Sequence, residues 1–197
     1  MTRLSILLIL VFSVCHAGIS FRKESITASI VACDTLEIRG IYYFCNSDSL
    51  PASTTIYYPF PVDSTLVYPH YIEVVRLADR LPVSFLQKTE GITWKQKVPS
   101  RFTDSVRVVY RQRVRHRCGR YILTTTQYWK KPLERAEFTV ISAAGITLDF
   151  WTFQADSVRM QNGRLVYHSH QKNFLPESDM LLEWSCDDSA KEQGIHK

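Results

Sequence analysis

The stretch SITASIVAC, residues 25–33, is followed almost at once by LEIRGIYYFC, residues 36–45, and these two runs indicate the fold class. Both are rich in β-branched and aromatic residues, and in both apolar positions alternate with polar ones. This period of two is typical of a strand with one buried face. The chain must reverse here, near Asp34 or Gly40, so the stretch predicts two neighbouring strands.

The same pattern recurs along the chain, which contains only 7 glycines among 197 residues. Further strands are predicted at 54–63, 70–77, 83–88, 91–96, 104–117, 121–129, 136–142, 146–154, 163–171 and 180–186. Residues 46–53 form a loop by composition, and Pro59 and Pro61 end the strand that begins at 54 because proline cannot donate to a ladder. Strands at this spacing predict an all-β fold, an antiparallel β-sandwich of roughly ten strands.

The first 17 residues, MTRLSILLILVFSVCHA, are typical of a secretory signal peptide, with one cation, an apolar run and Ala17 at the cleavage position. The apolar run is about half of the ~20 residues that would span a bilayer, and no later stretch is long enough, so no transmembrane segment is predicted. The predicted organisation is a signal peptide at 1–17, a single β-sandwich domain at 18–185 and a flexible polar tail at 186–197. The predicted location is extracytoplasmic, either periplasmic or secreted.

A second interpretation of the leader is a lipid anchor at Cys15, although Val14 and Phe12 differ from the residues usual before an acylated cysteine. Cleavage after Ala17 removes Cys15 and leaves four cysteines, Cys33, Cys45, Cys118 and Cys186. An even number in an oxidising compartment predicts two disulfides, with three possible connectivities. Cys33 with Cys45 would close a short loop, and Cys118 with Cys186 would tie the C-terminal segment to a hairpin. The spacing does not fit a structural zinc site.

Residues 104–117 and 121–129 are predicted to form a hairpin through Cys118, Gly119 and Arg120. Within its first strand, arginine occupies every second position, and the four side chains share one face: Arg111, Arg113, Arg115 and Arg117. The opposite face, with Val114, is the expected inner one. An exposed arginine row suits the phosphate or carboxylate groups of an anionic envelope polymer or lipid, or a protein partner with an acidic edge. The structural alternative is a solvated face that prevents edge association.

Net charge argues against a nucleic-acid partner. The full chain carries a formal net charge of +5, and loss of Arg3 with the leader reduces it to +4, a mild excess for an exported protein.

Aromatic side chains between 57 and 71 form a second candidate binding region. Pro59, Pro61 and Pro69 are expected to keep this segment irregular and near the surface, where loops often carry function. The candidate contact residues are Tyr57, Tyr58, Tyr68 and Tyr71. The other aromatic residues are expected to be core.

The sequence contains neither G-x-S-x-G nor H-E-x-x-H, so no catalytic residue and no cofactor are predicted. His168 and His170 lie two residues apart and share one face of their predicted strand. They would chelate a divalent metal if a third ligand such as His116, His70 or Glu183 came near. This spacing supports an alternative function, a metal-dependent or carbohydrate-directed enzyme.

Four segments carry a resemblance to known proteins: IYYPFPVD (56–63), VVYRQRV (108–114), YILTTTQYWKKPLERAEFTV (121–140) and NFLPESDMLLEW (173–184). Their order resembles exported bacterial β-domains of unknown function and covers most of the chain. The resemblance implies a β-rich extracytoplasmic domain and transfers no catalytic residue. An immunoglobulin domain is disfavoured because His116, not tyrosine, stands two residues before Cys118.

These features together predict an exported, non-enzymatic binding or structural module of the cell envelope. Its expected partners are anionic polymers, lipids or an acidic protein. A third interpretation is an envelope assembly factor that acts through a sheet edge.

Overall fold

A computed structural model describes residues 18–187, which form thirteen strands and one 3-10 helix. The elements are β1 (Ile19–Ala32), β2 (Thr35–Asn46), β3 (Ala52–Pro59), β4 (Tyr71–Arg76), β5 (Leu86–Lys88), β6 (Gly91–Val98), β7 (Phe102–Arg113), β8 (Cys118–Tyr121), the 3-10 helix (Thr124–Trp129), β9 (Leu133–Ser142), β10 (Ile146–Trp151), β11 (Ser157–Gln161), β12 (Arg164–Phe174) and β13 (Met180–Cys186). The predicted signal peptide, with Cys15, and the tail beyond 187 lie outside these residues.

The strands form one large and two small sheets. The large sheet has seven strands in the order β11-β12-β9-β1-β2-β7-β4, and the small sheets have the orders β10-β13-β8 and β3-β6-β5. Tyr42 of the large sheet contacts Tyr58 and Tyr121, one from each small sheet. The all-β sandwich prediction is therefore confirmed. Two details differ from it: there are thirteen strands, and β1 pairs with β9 in parallel.

The β1–β2 pair lies at the centre of the large sheet. The turn between them lies at Cys33 and Asp34, whereas Gly40 lies within β2. Along β1 the buried residues alternate with less buried ones, as expected for a strand that is covered on one face. The alternation is interrupted at a bulge between Phe21 and Lys23, and a second register shift lies between Ile30 and Ala32 at the end of the strand.

The predicted hairpin of 104–117 with 121–129 is wrong. β7 ends at Arg113 and pairs with β2 and β4, whereas β8 belongs to another sheet and pairs with β13. Residues 124–129 form the 3-10 helix instead of a strand, although their sequence TTTQYW favours a strand locally. The carboxylate of Asp179 accepts hydrogen bonds from the backbone N–H of Leu123 and of Thr124, and this long-range contact fixes the start of the helix.

The predicted disulfide pairing is also corrected. Cys33, in the β1–β2 turn, is bonded to Cys186 at the end of β13, with their Cα atoms 6.1 Å apart. Cys45 and Cys118 carry free thiols. Cys33 and Cys45 lie at opposite ends of β2, about 30 Å of extended chain apart, so no bond between them can form. Cys186 is thus part of β13 and not of the predicted tail.

Other boundaries shift in ways that local pattern does not reveal. β1 begins at Ile19, six residues before the predicted strand, and β11 (Ser157–Gln161) was not predicted. All residues of β11 are exposed, so its sequence lacks the alternation by which a half-covered strand is recognised. No helix within residues 18–187 is long and apolar enough to cross a membrane.

Of the four described cysteines, the two in the Cys33–Cys186 disulfide are expected to contribute most to the free energy of unfolding. Cys33→Ser should lower the free energy of unfolding by about 2–5 kcal/mol, because the bond joins segments that are 153 residues apart. Cys45→Ser and Cys118→Ser, the matched controls, should cost much less. Urea unfolding of the oxidised proteins measures all three. Equal losses in the three variants would contradict the assignment.

Candidate ligand pocket

The main candidate site is a pocket of about 220 Å³ between the inner face of the large sheet and the 3-10 helix. Its walls are mainly aromatic, with rings from Phe21, Phe44, Tyr58, Trp94, Tyr128 and Trp129. Phe21, Phe44 and Trp129 form a continuous cluster, with centroid distances of 5.5–5.9 Å. Tyr128 is 77% exposed and lies at the mouth. A cavity of about 150 Å³ can bind benzene, so this pocket has room for a small aromatic compound.

Of the pocket-lining residues within 18–187, Glu24 is the one with an acidic side chain. It is only 3% exposed, and its Oε1 atom is buried without a hydrogen-bond partner. Burial raises the pKa of Glu24 to about 8, because the interior solvates a carboxylate far less well than water does. Among the described residues that line the pocket there is no Lys, Arg or His. The carboxyl is therefore mostly protonated at neutral pH and faces the pocket without a counter-charge.

The bulge in β1 is what turns Glu24 inward. Before the bulge Phe21 lies opposite Phe44, and after it Lys23 lies opposite Tyr43 and Glu24 opposite Tyr42. Without the extra residue, Lys23 would lie opposite Tyr42 and Glu24 would turn to the outer face. Sequence reasoning missed Glu24 because the strand was predicted to begin one residue later. The available signal was its position in the series with Ile26, Ala28 and Ile30, all buried.

Three tyrosine hydroxyl groups meet beside Glu24. Tyr42 is hydrogen-bonded to Tyr58 at 2.9 Å and to Tyr121 at 2.7 Å. Burial raises the pKa of all three phenols, so they stay protonated. The hydroxyl groups of Tyr58 and Tyr121 also interact with each other, so the three hydroxyls form one polar cluster in the pocket wall.

Gly40 provides the space that Tyr42 occupies. A Cβ atom at position 40 would lie within 3 Å of three atoms at the phenol end of Tyr42, including its hydroxyl oxygen. The tyrosine thus lies back over Gly40 along β2, and only glycine leaves room for it. The two residues together place the central hydroxyl of the cluster.

Trp94, on the opposite wall, is held by a buried polar chain. Its indole N–H donates to Gln96 at 3.1 Å, and the amide of Gln96 donates to the carboxylate of Asp104 at 2.8 Å. Asp104 is buried, and burial raises its pKa. This chain fixes the plane of the indole ring against the pocket.

The predicted arginine row does not share a single strand face. Arg111 and Arg113 are exposed on β7, but the strand ends there and Arg117 lies in a turn with a φ of 54°. Arg111 donates to Glu37 at 2.7 Å and stacks over Tyr71 at 5.4 Å. Arg115 donates to the carbonyl of Ser64 at 3.2 Å. The binding role of these arginines stays a prediction.

The predicted tyrosine surface divides into different environments. Tyr58 is buried in the core, and Tyr68 packs against the core and donates to the carbonyl of Gly91 at 3.0 Å. Tyr57 is 49% exposed and lines the aromatic pocket, whereas Tyr71 is 41% exposed on β4 outside it. The expectation of an irregular surface segment at 57–71 is wrong at its start, because Tyr57 and Tyr58 belong to β3.

His168 and His170 share one face of β12, as expected, but each has its own partner. Nδ1 of His168 lies 3.0 Å from the hydroxyl of Thr139, and Nδ1 of His170 lies 3.0 Å from the carboxylate of Asp156. Burial lowers the pKa of His168. Residues 18–187 contain no group of three or more His, Cys, Asp or Glu side chains that could hold a metal ion. The third ligand that the metal hypothesis requires is therefore not found among them.

No family model and no curated protein matches this chain. Among solved structures, a candidate nutrient-binding protein from Legionella pneumophila matches with a TM-score of 0.69 and 15% identity, over 86% of this chain and 67% of that one. Variants of an M1 zinc metallopeptidase from Deinococcus radiodurans match with a TM-score of 0.50 and 10% identity, over 84% of this chain and 42% of theirs. The chain thus spans less than half of the metallopeptidase. At these identities the likeness shows the fold alone.

Gly40→Ala should displace Tyr42 and destabilise the protein by about 1–3 kcal/mol, as expected for overpacking of a core. The same change in a Tyr42→Leu background should cost much less, because the clashing phenol end is absent. The four free energies of unfolding form a double-mutant cycle. Additive effects would show that Gly40 does not act through Tyr42.

Stability should depend on pH through Glu24. The folded state binds this proton with a pKa of about 8, against 4.5 in an unfolded chain. The contribution to the free energy of unfolding is therefore greatest below pH 4.5 and is lost as pH rises to about 8, a loss on the order of 3–5 kcal/mol. Glu24→Gln cannot titrate and should lack this decline.

Denaturant unfolding of both proteins from pH 4 to pH 9 measures this effect. The difference between them is the relevant quantity, because all other titrating groups are shared. A difference that stays constant over this range would refute the raised pKa of Glu24.

Proposed function

We propose that this chain is a binding module that takes a small, largely apolar or aromatic ligand in the pocket beside Glu24. The observation that carries the proposal is the coincidence of an aromatic cavity with a buried carboxyl group whose Oε1 has no partner. Buried polar atoms in folded proteins are usually hydrogen-bonded, and ligand pockets typically combine apolar walls with a few polar groups that orient the ligand.

The construction of the walls supports a binding role. The aromatic cluster, the three-tyrosine network and the Trp94–Gln96–Asp104 chain hold the rings in place before a ligand enters. A preorganised pocket loses less conformational entropy on binding than a flexible one. The description of the Legionella neighbour as a candidate nutrient-binding protein points in the same direction.

We also propose that the module acts outside the cytoplasm. The leader sequence at 1–17 and the disulfide between Cys33 and Cys186 support this location, because disulfides persist in oxidising compartments. Contact of Arg113 and its neighbours with an anionic polymer or lipid would be a separate activity. The ion pair of Arg111 with Glu37 and the hydrogen bond of Arg115 to Ser64 weaken that interpretation.

Tyr128→Ala and Tyr71→Ala form a matched pair that tests the proposal. Both remove an exposed tyrosine, but only Tyr128 lines the pocket. Toluene and 2-phenylethanol should bind the wild-type protein, as seen by ligand-observed NMR. Tyr128→Ala should weaken binding roughly 3- to 10-fold through loss of one ring contact, and Tyr71→Ala should leave it unchanged. If neither compound binds, or if both variants behave alike, the pocket is not the site.

A further inference from the structure

Glu24 also indicates the chemical class of the ligand. This step rests on the proposed function, since it assumes that the pocket beside Glu24 is occupied. Three ligand classes have to be compared: anions, neutral compounds with a hydroxyl group, and organic cations. The charges and π faces around Glu24 distinguish among them.

The cationic side chains nearest to Glu24 in sequence and register lie on the outer face of the sheet, whereas Glu24 lies on the inner face, so they do not pair with it. Arg22, Lys23 and Arg135 are exposed on the outer face, where Arg22 donates to Glu134 at 2.6 Å. On the inner side, the titratable groups facing Glu24 are the phenols of Tyr42, Tyr58 and Tyr121, from β2, β3 and β8. On β9 the residue in register with Glu24 is Ala136, which has no polar side chain.

An anionic ligand would be buried without a positive partner, because the described lining of the pocket has no Lys, Arg or His, and it would keep Glu24 from ionising. Like charges that are desolvated together repel strongly. A neutral hydroxyl would hydrogen-bond to the protonated acid and leave Glu24 uncharged. A cation adds an ion pair, because it binds the ionised form, and a buried charge is stable in a protein only when it is paired and hydrogen-bonded.

The aromatic walls favour a cation independently of Glu24. Phe21, Phe44 and Trp129 line the same pocket and pack against one another, and aromatic rings attract positive charge to their faces. A carboxylate at the base of an aromatic enclosure is a suitable receptor for an ammonium group on an apolar body.

We propose that the pocket binds an organic amine with an apolar or aromatic body, and that its ammonium group pairs with the carboxylate of Glu24. The group can belong to a free amine or to the N-terminus of a short peptide, since the chemistry at Glu24 is the same. Because Glu24 is mostly protonated in the empty pocket, formation of the ion pair releases its proton to the solvent. The ammonium group keeps its own protons and donates them to the carboxylate.

The experiment uses phenethylamine and its neutral counterpart 2-phenylethanol, titrated into wild-type protein and Glu24→Gln by calorimetry between pH 6 and pH 8.5. Wild type should prefer the amine at least tenfold at pH 8. Its affinity for the amine should rise about tenfold per pH unit below the pKa of Glu24 and level off near pH 8. At pH 6.5, buffers of different ionisation enthalpy should reveal release of close to one proton per amine bound.

Glu24→Gln should lose the preference for the amine, the pH dependence and the proton release. The proton release is measured on wild type alone, so the proposal stays falsifiable even if the variant folds poorly. Phenylalanyl-glycinamide in place of phenethylamine separates a peptide terminus from a free amine, and tight binding of either supports the class.

The outcomes separate this inference from the proposed function. If amine and alcohol bind equally, with no proton release, the pocket binds apolar compounds but the amine assignment is wrong. If neither amine nor alcohol binds wild type at any pH, both the pocket and the amine assignment fail.

Discussion

A one-residue bulge at Arg22 determines which side chains of β1 face the interior. On its outer side Arg22 pairs with Glu134, and on its inner side Phe21 and Glu24 both line the pocket. The bulge shifts the register by one position, and in a strand a shift of one exchanges the two faces. A basic segment, with Arg22 and Lys23, is thereby kept in solvent while the adjacent acid is buried.

The position of β1 makes this arrangement rigid. β1 pairs with β2 on one side and with β9 on the other, so its backbone is held at both edges. The burial of Glu24 therefore depends on the position of β1 within the sheet. The small sheets are tied to the same region through Tyr42, which binds one tyrosine from each. The pocket therefore follows from the packing of all three sheets.

The sequence pattern predicted strands whose alternation is local, and it missed features that depend on contacts between residues far apart in the chain. The alternation in β1, β2 and β7 is local, and these strands were found. The 3-10 helix depends on Asp179, and the disulfide depends on where β13 ends relative to the β1–β2 turn. Neither is encoded in a window of ten residues. Glu24 was missed because an acid at the edge of an apolar run is normally taken as the end of a strand.

The unpaired carboxyl couples the stability of the fold to the occupancy of the pocket. In the empty protein near neutral pH, Glu24 is buried as the neutral acid, which costs less free energy than burial of the carboxylate. This advantage is lost as pH approaches 8 and the acid ionises. A ligand that pairs with the carboxylate stabilises the folded state most under the conditions in which the empty protein is least stable. Glu24 thus accounts both for the preference for an amine and for the lower stability of the empty protein near pH 8. Substitution by a neutral residue would remove the preference and would raise the stability of the empty protein at that pH.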